Sequence, residues 1–244
     1  MIEKYNLINL KTVKSTNLEI KKLYLLSKKI NNLCLAADNQ TGGYGRRNSK
    51  WFSYPGNLHL SILLKPKCKL DVVNQLSFLT TASIGDALRI KKKNINIKYK
   101  WPNDILLNKK KIGGVIIETS SYLKNKIKWV IIGVGINIIN YPYLKKENFK
   151  ASSLKKEKII IEKDVFIDLF LKVFFKNYSL WKKKGFNFIK NKWISNIYKK
   201  NNNIIIKYQN NYIKGKLINF LINGGIKLKI NNETKDFFYG DQVL

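Results

Sequence analysis

The chain has 244 residues, of which 45% are hydrophobic and 12% aromatic, so it is globular and long enough to bury a core. The longest apolar run, residues 129–139, is too short and glycine-broken to cross a bilayer, and the start lacks a secretory signal, so a cytoplasmic protein without a membrane partner is predicted. The net charge of +32 alone would indicate a polyanionic partner, but lysine is spread along the whole chain, so no local nucleic-acid patch is predicted.

The first two thirds of the chain combine short strands with two helices. Thr16 and Glu19 stand at capping-box spacing, which predicts a helix start, and apolar positions at helical spacing predict a second helix over residues 72–90. Residues 58–62 alternate as a half-buried strand does. The predicted strands are residues 5–9, 33–38, 58–62, 95–99, 105–107, 112–118 and 129–138, with a hairpin between the fifth and sixth. Hairpin-length turns favour a mixed sheet backed by helices over a doubly wound parallel sheet.

The last third of the chain changes from helical to strand patterns. A wide apolar stripe predicts helical structure from residue 164 to about residue 198. After a break at residues 199–203, short strands with turns at 210–211, 224–225 and 231–232 predict a small antiparallel barrel that needs docking or closure for stability. The sequence therefore predicts an α+β fold, with a main domain over residues 1–200 and a barrel over residues 201–244.

A loop rich in glycine and arginine joins two of the predicted strands. Gly42, Gly43 and Gly45 let the backbone approach a ligand, and the exposed amides of such a loop can bind an anion. Arg46 and Arg47 add permanently charged, forked donors. A plain connector is the commoner meaning of a glycine-rich string, but a connector does not need two arginines. We therefore expect this loop to bind an anion.

A second segment reads Lys-Trp-Pro-Asn-Asp from Lys100 to Asp104. Pro102 keeps the segment out of a helix, so Asn103 and Asp104 are expected to project from a loop at a strand end. Asp104 could hold Mg²⁺ or pin a lysine, and such a pair also occurs in ordinary turns. Lys111, at the foot of the hairpin strand, could oppose a phosphate or carboxylate, or could be one of 47 mostly exposed basic residues.

A third segment, Gly133-Val-Gly-Ile-Asn137, ends a buried strand. It lacks the third glycine of a dinucleotide-binding string and no helical pattern follows, so a Rossmann site is not predicted. Glycines at such a position indicate close backbone approach. Asn137 could contact a purine or a phosphate, or could close a turn.

In this order and at these spacings, the segments resemble the biotin protein ligases, the enzymes that join biotin to biotin-dependent carboxylases. The matching motifs are Ser15-Thr16-Asn17, Gln40 to Arg46 with Trp51, Lys100 to Asp104, Lys111-Ile-Gly-Gly114, and Gly133 to Asn137. Ala151-Ser-Ser-Leu154 and residues 204–244 are similar to the element after the family's adenylate-covering loop and to its SH3-like barrel. The resemblance implies a class II synthetase-like catalytic domain. Because the pattern begins at Ser15, it implies a monofunctional enzyme without a DNA-binding domain or a DNA partner.

The resemblance also implies a reaction and a set of site residues. Biotin would be activated by ATP and Mg²⁺ as biotinyl-5'-AMP, then transferred to a lysine of the biotin carboxyl carrier protein of acetyl-CoA carboxylase, by a monomer or a homodimer. The implied catalytic residues are Lys111, Arg46 and Asp104, the last also as a Mg²⁺ ligand. The implied biotin-binding residues are Ser15, Thr16, Asn17, Gln40, Gly43, Tyr44, Gly45, Arg46, Lys111 and Gly114. The implied nucleotide-binding residues are Arg46, Trp51, Asn103, Lys111 and Asn137.

The sequence departs from the family pattern at two places, and two other functions stay open. Tyr44 stands where the family most often has arginine, so the backbone amides would have to bind the biotin carboxylate there, and Asn48-Ser49 replaces the usual Gly-Arg. A lipoate or octanoate ligase of the same fold would lack the Lys-Trp-Pro-Asn-Asp string. A non-enzymatic RNA-binding protein would cluster its aromatic residues on one basic face, whereas here they follow core periodicity.

Overall fold

The computed structural model describes residues 3–27, 32–121, 127–143, 150–199 and 203–243. Within these ranges the chain forms a large sheet, a small sheet and helices. The large sheet contains β1 (Asn6–Val13), β2 (Leu33–Gln40), β3 (Leu58–Leu64), β4 (Ile97–Lys100), β5 (Asp104–Leu107), β6 (Lys110–Ser121) and β7 (Ile127–Ile136). The small sheet contains β8 (Asn203–Tyr208), β9 (Asn211–Phe220), β10 (Ile226–Ile230), β11 (Glu233–Phe237) and β12 (Asp241–Val243). The helices are α1 (Thr16–Ser27), α2 (Gln75–Lys91), α3 (Lys163–Lys184) and α4 (Asn187–Asn196).

The large sheet is mixed, as predicted. Its strand order is β1-β2-β3-β7-β6-β5-β4; β1 and β2 pair in parallel and the other neighbours pair antiparallel. Because side chains alternate along a strand, Leu33 and Leu35 pack with α1, whereas Cys34 and Ala36 join the larger core with α2 and α3. Helices therefore cover both faces. The prediction that residues 58–62 are half-buried is wrong, since every residue of β3 is buried.

The first helix begins where the motif predicted, but for a different reason. The N–H of Glu19 donates to the Ser15 carbonyl at 3.0 Å, which makes Ser15 the residue before the first turn. The Thr16 hydroxyl instead donates to Gln40 Oε1 at 3.1 Å. The predicted capping box is therefore wrong, and the Thr16 side chain is directed into a polar network.

The predicted hairpin and the predicted helical region are confirmed. Asn108 and Lys109, between β5 and β6, have φ values of 50° and 65°, which suit the two-residue turn that matches strand twist. The helical region after residue 163 is divided between α3 and α4 at Gly185, whose φ is 70° and whose N–H donates to the Trp181 carbonyl at 2.8 Å.

The small sheet is antiparallel, in the order β11-β10-β9-β8-β12. It packs on the main part of the chain: the rings of Phe220 and Phe78 meet edge to face at 5.1 Å, and Trp101 Nε1 donates to the Gly224 carbonyl at 2.9 Å. This agrees with the prediction of a small β-unit that is stabilised by docking. The boundary at residue 201 lies outside the described residues and stays a prediction. No helix in the described ranges is both long and apolar enough to span a bilayer.

Candidate active site

A cavity of about 700 Å³ lies on the α1 face of the large sheet. Its floor is formed by Gly133 and Gly135 of β7, which pair with Ser61 of β3 and Gly114 of β6 respectively. Its walls are the start of α1, the loop after β2, residues 100–104 and the end of β12. Two sheets and one helix end therefore line one cavity.

Both floor glycines are required by close contacts. A Cβ atom at Gly133 would lie 2.6 Å from Asn17 Oδ1, and one at Gly135 would lie 2.4 Å from the Trp51 ring. The Trp51 indole thus lies against bare backbone, and its buried Nε1 has no hydrogen-bond partner in the described part of the chain. The predicted close backbone approach at this strand end is what the structure shows.

One side of the cavity is a polar recess formed by Ser15, Thr16, Asn17 and Gln40. Gln40 Oε1 accepts from the Thr16 N–H at 2.9 Å, and Gln40 Nε2 donates to Ser53 Oγ at 3.0 Å. Ser15, Thr16 and Asn17 are buried although all three are polar. Buried polar groups that bond one another in this way are held in place before a ligand arrives.

Two further residues, Ser61 and Glu118, support this recess and were not predicted. The Ser61 hydroxyl lies 2.8 Å from Thr16 Oγ1 and 2.6 Å from Asn17 Oδ1. Glu118 Oε1 accepts from Asn17 Nδ2 and from Tyr44 Oη, each at 2.6 Å. Burial, followed by the hydrogen bond to Glu118, raises the pKa of Tyr44 to about 12, so this hydroxyl stays a neutral donor. The departure at position 44 thereby ties the loop to β6.

Another part of the cavity lining carries a charge triad, which consists of the buried Asp104 and the half-buried Lys100 and Lys111. Asp104 Oδ1 lies 2.7 Å from Lys111 Nζ, and Asp104 Oδ2 lies 3.1 Å from Lys100 Nζ. Burial alone would raise the pKa of Asp104, but the two ammonium groups outweigh it and hold that pKa below its ordinary value. The triad has a net positive charge in a site largely shielded from water, so it suits an anionic ligand.

The structure decides between the two roles predicted for Asp104. Both of its carboxylate oxygens are bound by lysines, so it pins lysines and does not fit as a Mg²⁺ ligand. Among the residues described, no three histidine, cysteine, aspartate or glutamate side chains gather as a metal site. We therefore assign no step to a metal held by Asp104.

The two loop arginines are bound to the small sheet. Arg46 Nη1 lies 2.5 Å from Asp241 Oδ1, and Arg47 Nη1 lies 2.7 Å from Asp241 Oδ2. Arg46 Nη1 also lies 3.5 Å from Asn103 Oδ1, and Asn103 Nδ2 donates to the Val115 carbonyl at 2.6 Å. Asp241 was not predicted, because its partners lie 195 and 194 positions earlier in the chain.

Asn137 positions the segment that follows it in the cavity wall. Its side-chain amide donates to the Ser152 carbonyl at 3.0 Å, and its N–H donates to the Ile112 carbonyl at 2.7 Å. Ser152 in turn donates its N–H to the Lys111 carbonyl at 2.9 Å. The element at residues 151–154, singled out by the resemblance, therefore lies beside Lys111.

The chain matches a known protein family over its first half. Residues 10–137 match the model of the biotin/lipoate A/B protein ligase family. The chain belongs to this family.

Individual proteins are also similar to this chain. A bifunctional ligase/repressor of Bacillus subtilis is 31% identical over 216 residues, which cover 86% of this chain but 65% of the relative. A biotin–[acetyl-CoA-carboxylase] ligase of Paracoccus denitrificans is 33% identical over 107 residues, covering 43% of this chain and 44% of the relative. A biotin protein ligase from Aquifex aeolicus, solved with biotin and ATP, superposes with a TM-score of 0.79 at 29% identity and covers 97% of both chains. These matches confirm the predicted fold.

The structure brings nearly all of the predicted site residues of this family member together. Those that line the cavity are Ser15, Thr16, Asn17, Gln40, Tyr44, Gly45, Arg46, Trp51, Asn103, Asp104, Lys111, Gly114 and Asn137. Gly43 is not among them, since a Cβ atom there would point at Ser53 Oγ, 2.8 Å away. Because Gly43 has no side chain, the loop can pack closely against Ser53 behind the cavity wall. Glu118 could have been found from the sequence, because it follows Gly114 by two full strand periods and therefore faces the same side.

Proposed function

We propose that this protein is an ATP-dependent biotin ligase that forms biotinyl-5'-AMP and transfers biotin to a lysine of the carrier protein of acetyl-CoA carboxylase. The observation that carries this proposal is that the charge triad and the polar recess line the same cavity. One side suits the joined anions of a carboxylate and a phosphate, and the other suits a polar, uncharged ring. The Aquifex aeolicus neighbour, solved with biotin and ATP, supports the same pair of ligands.

In the first step, a biotin carboxylate oxygen bonds to the α-phosphorus of ATP while the bond to the leaving pyrophosphate breaks. Lys111 would oppose the charge that develops on both groups, and Asp104 would hold its ammonium group in place at 2.7 Å. Since the triad is fixed before the ligands arrive, little reorganisation is needed at the moment of reaction.

The recess would hold biotin through its ureido ring. Ser15, Thr16 and Gln40 offer hydroxyl and amide groups, while Glu118 and Tyr44 keep Asn17 and the loop in place. The nucleotide would lie beside Trp51 and Asn137, with its phosphates near Arg46. Such a placement puts the carboxylate of biotin and the α-phosphate together near Lys111.

In the second step, the neutral amine of the carrier lysine would attack the carbonyl carbon of the mixed anhydride. The new amide bond forms as the bond to the AMP oxygen breaks, and the amine loses its proton to solvent. The carrier, a cytoplasmic location, the state of assembly and the domain boundary at residue 201 remain predictions.

Adenylate formation tests the proposal and the role of Lys111 together. Incubated with Mg-ATP and biotin, lipoate or octanoate, the protein should yield biotinyl-adenylate, detected by mass. Lys111→Ala should lower the rate by about 10²–10³, because it removes a charge directed at the transition state. Circular dichroism should establish that the variant is folded.

The matched control is Lys172→Ala, since Lys172 is exposed on α3 and does not line the cavity. Its rate should equal that of the unchanged protein. Adenylate formed from lipoate alone would refute the proposal in favour of a lipoate ligase, and equal rates in both lysine variants would refute the role of Lys111.

A further inference from the structure

Asp241 is an acidic residue placed against the two arginines of the loop at residues 42–47. It contacts both guanidinium groups, at 2.5 Å and 2.7 Å, and it lines the cavity together with Arg46 and Arg47. The chain has 15 acidic and 47 basic residues, so a carboxylate shared by two cations uses a scarce group. Because Asp241 lies in the cavity wall, its ion pairs stand where a ligand would bind and not on an ordinary part of the surface.

The backbone beside Asp241 is anchored, whereas the two ion pairs that its carboxylate makes are partly exposed. The next residue, Gln242, is buried; its N–H donates to the Trp101 carbonyl at 3.1 Å, and its Oε1 accepts from the Trp101 N–H at 3.0 Å. The side chains of Arg46 and Arg47 are 30% and 63% exposed, and that of Asp241 is 38% exposed. Strand β12 thus holds the backbone at Asp241 in place, while the ion pairs themselves lie where a ligand in the cavity can reach them.

We propose that Asp241 is an internal counter-ion, which docks the arginine loop on the small sheet and is displaced by a phosphate-bearing ligand. A carboxylate and a phosphate use the same guanidinium donors, so the two anions compete for Arg46 and Arg47. Lys207 pairs with Asp241 across β8 and β12 and also lines the cavity. A displaced carboxylate therefore has a cation beside it on the same strand pair.

This inference goes beyond the proposed function in assigning Asp241, and it relies on that function only for the identity of the ligand. Removal of the Asp241 carboxylate should have two effects. The ligand-free loop should be released, and the affinity for phosphate should rise, because the arginines no longer exchange one anion for another. If Asp241 instead only positioned the arginines, its removal would weaken phosphate binding.

Hydrogen exchange of the ligand-free protein tests the docking. In Asp241→Asn, the amides of residues 42–50 should exchange about three- to tenfold faster than in the unchanged protein, the range expected for partly exposed ion pairs. Asp236→Asn is the matched control, since Asp236 pairs with Lys227 at 2.7 Å in the same sheet and does not line the cavity. Unchanged loop exchange in Asp241→Asn would overturn the inference.

Calorimetric binding of α,β-methylene-ATP tests the displacement. Asp241→Asn should bind this analogue about three- to tenfold more tightly than the unchanged protein, and Asp241→Ala should change in the same direction. Weaker binding in both variants would overturn the inference, because it would show positioning without competition. Binding to none of the proteins would refute the proposed nucleotide ligand and the displacement, while loop exchange would still decide the docking.

Discussion

At the scale of single residues, two of the buried ionisable groups, Asp104 and His59, are in opposite charge states. Asp104 keeps its charge because Lys100 and Lys111 lie against its two oxygens. His59, which is 1% exposed, has no carboxylate partner among the described residues, and its Nε2 lies 3.4 Å from the Tyr54 carbonyl. Burial, aided by the positive charge of Lys163, lowers the pKa of His59 to about 4. The charged partners of a buried group, and not burial alone, therefore decide whether it is charged or neutral in the folded protein.

His59 should make the protein lose stability in mild acid. The unfolded histidine takes up a proton as the pH falls through about 6.5, whereas the folded one does so only near 4. The contribution of the neutral histidine to the unfolding free energy is therefore complete above pH 6.5 and is lost as the pH falls towards 4. Between pH 7 and pH 5, the unfolding free energy should drop by about 2 kcal/mol through this group.

Urea unfolding of the unchanged protein and of His59→Gln at both pH values measures this loss. The chain has one histidine, so the difference between the two proteins isolates it from the carboxylates. His59→Gln should show the smaller drop. An equal drop in both proteins would contradict a histidine that is neutral in the folded state.

At the scale of elements, β7 serves the core and the cavity with alternate residues. Ile132, Val134 and Ile136 point into the larger core, whereas Gly133 and Gly135 face the cavity. The missing side chains provide the room in which Asn17 and Trp51 lie. A strand that supports a site from below must therefore be apolar on one face and nearly bare on the other.

Gly135→Ala should displace the Trp51 indole, because the new methyl group would lie 2.4 Å from the ring. Overpacking of this kind typically costs about 1–3 kcal/mol, so binding of α,β-methylene-ATP should weaken by about tenfold. Gly114→Ala is the comparison on the same floor, since its nearest contact would be 3.4 Å, and it should change affinity less. An equal loss in both variants would show that crowding of Trp51 is not the cause.

At the scale of the whole molecule, the small sheet is connected to the large one through the Lys-Trp-Pro-Asn-Asp segment. Trp101 is 1% exposed; its backbone N–H donates to Gln242 and its indole donates to the Gly224 carbonyl. Gln242 also donates to the Tyr198 carbonyl. The segment that presents Asn103 and Asp104 to the cavity is thus the same segment that holds the small sheet.

Gln242→Ala should loosen this connection. It removes one buried and one partly buried hydrogen bond and leaves the Trp101 N–H without an acceptor, so the unfolding free energy should fall by about 2 kcal/mol. Urea unfolding measures the change. Gln209→Ala, at an exposed position in the turn between β8 and β9, should stay within about 0.5 kcal/mol of the unchanged protein. Equal changes in the two variants would argue against a structural connection through Gln242.

The sequence by itself determined the elements, the fold class and most of the cavity lining. Periodicity located the strands and helices, because a strand or helix that buries one side repeats at its own spacing, and the turn at Asn108 predicted the hairpin. Three motifs indicated a common site, because each places glycine or polar residues at the end of a predicted strand. Their resemblance to a family predicted which side chains would meet.

Only the tertiary structure decided which partners these side chains have. The sequence left Asp104 between a metal and a lysine, and it assigned Arg46 to biotin and the nucleotide without an acidic partner in the protein. It did not reveal Glu118 under the recess or Asp241 against the arginines. An ion pair depends on distance in space, and nothing in local spacing reports a contact between β12 and a loop 195 positions away. Folding brings these groups together, and so the electrostatics of the site belong to the assembled molecule.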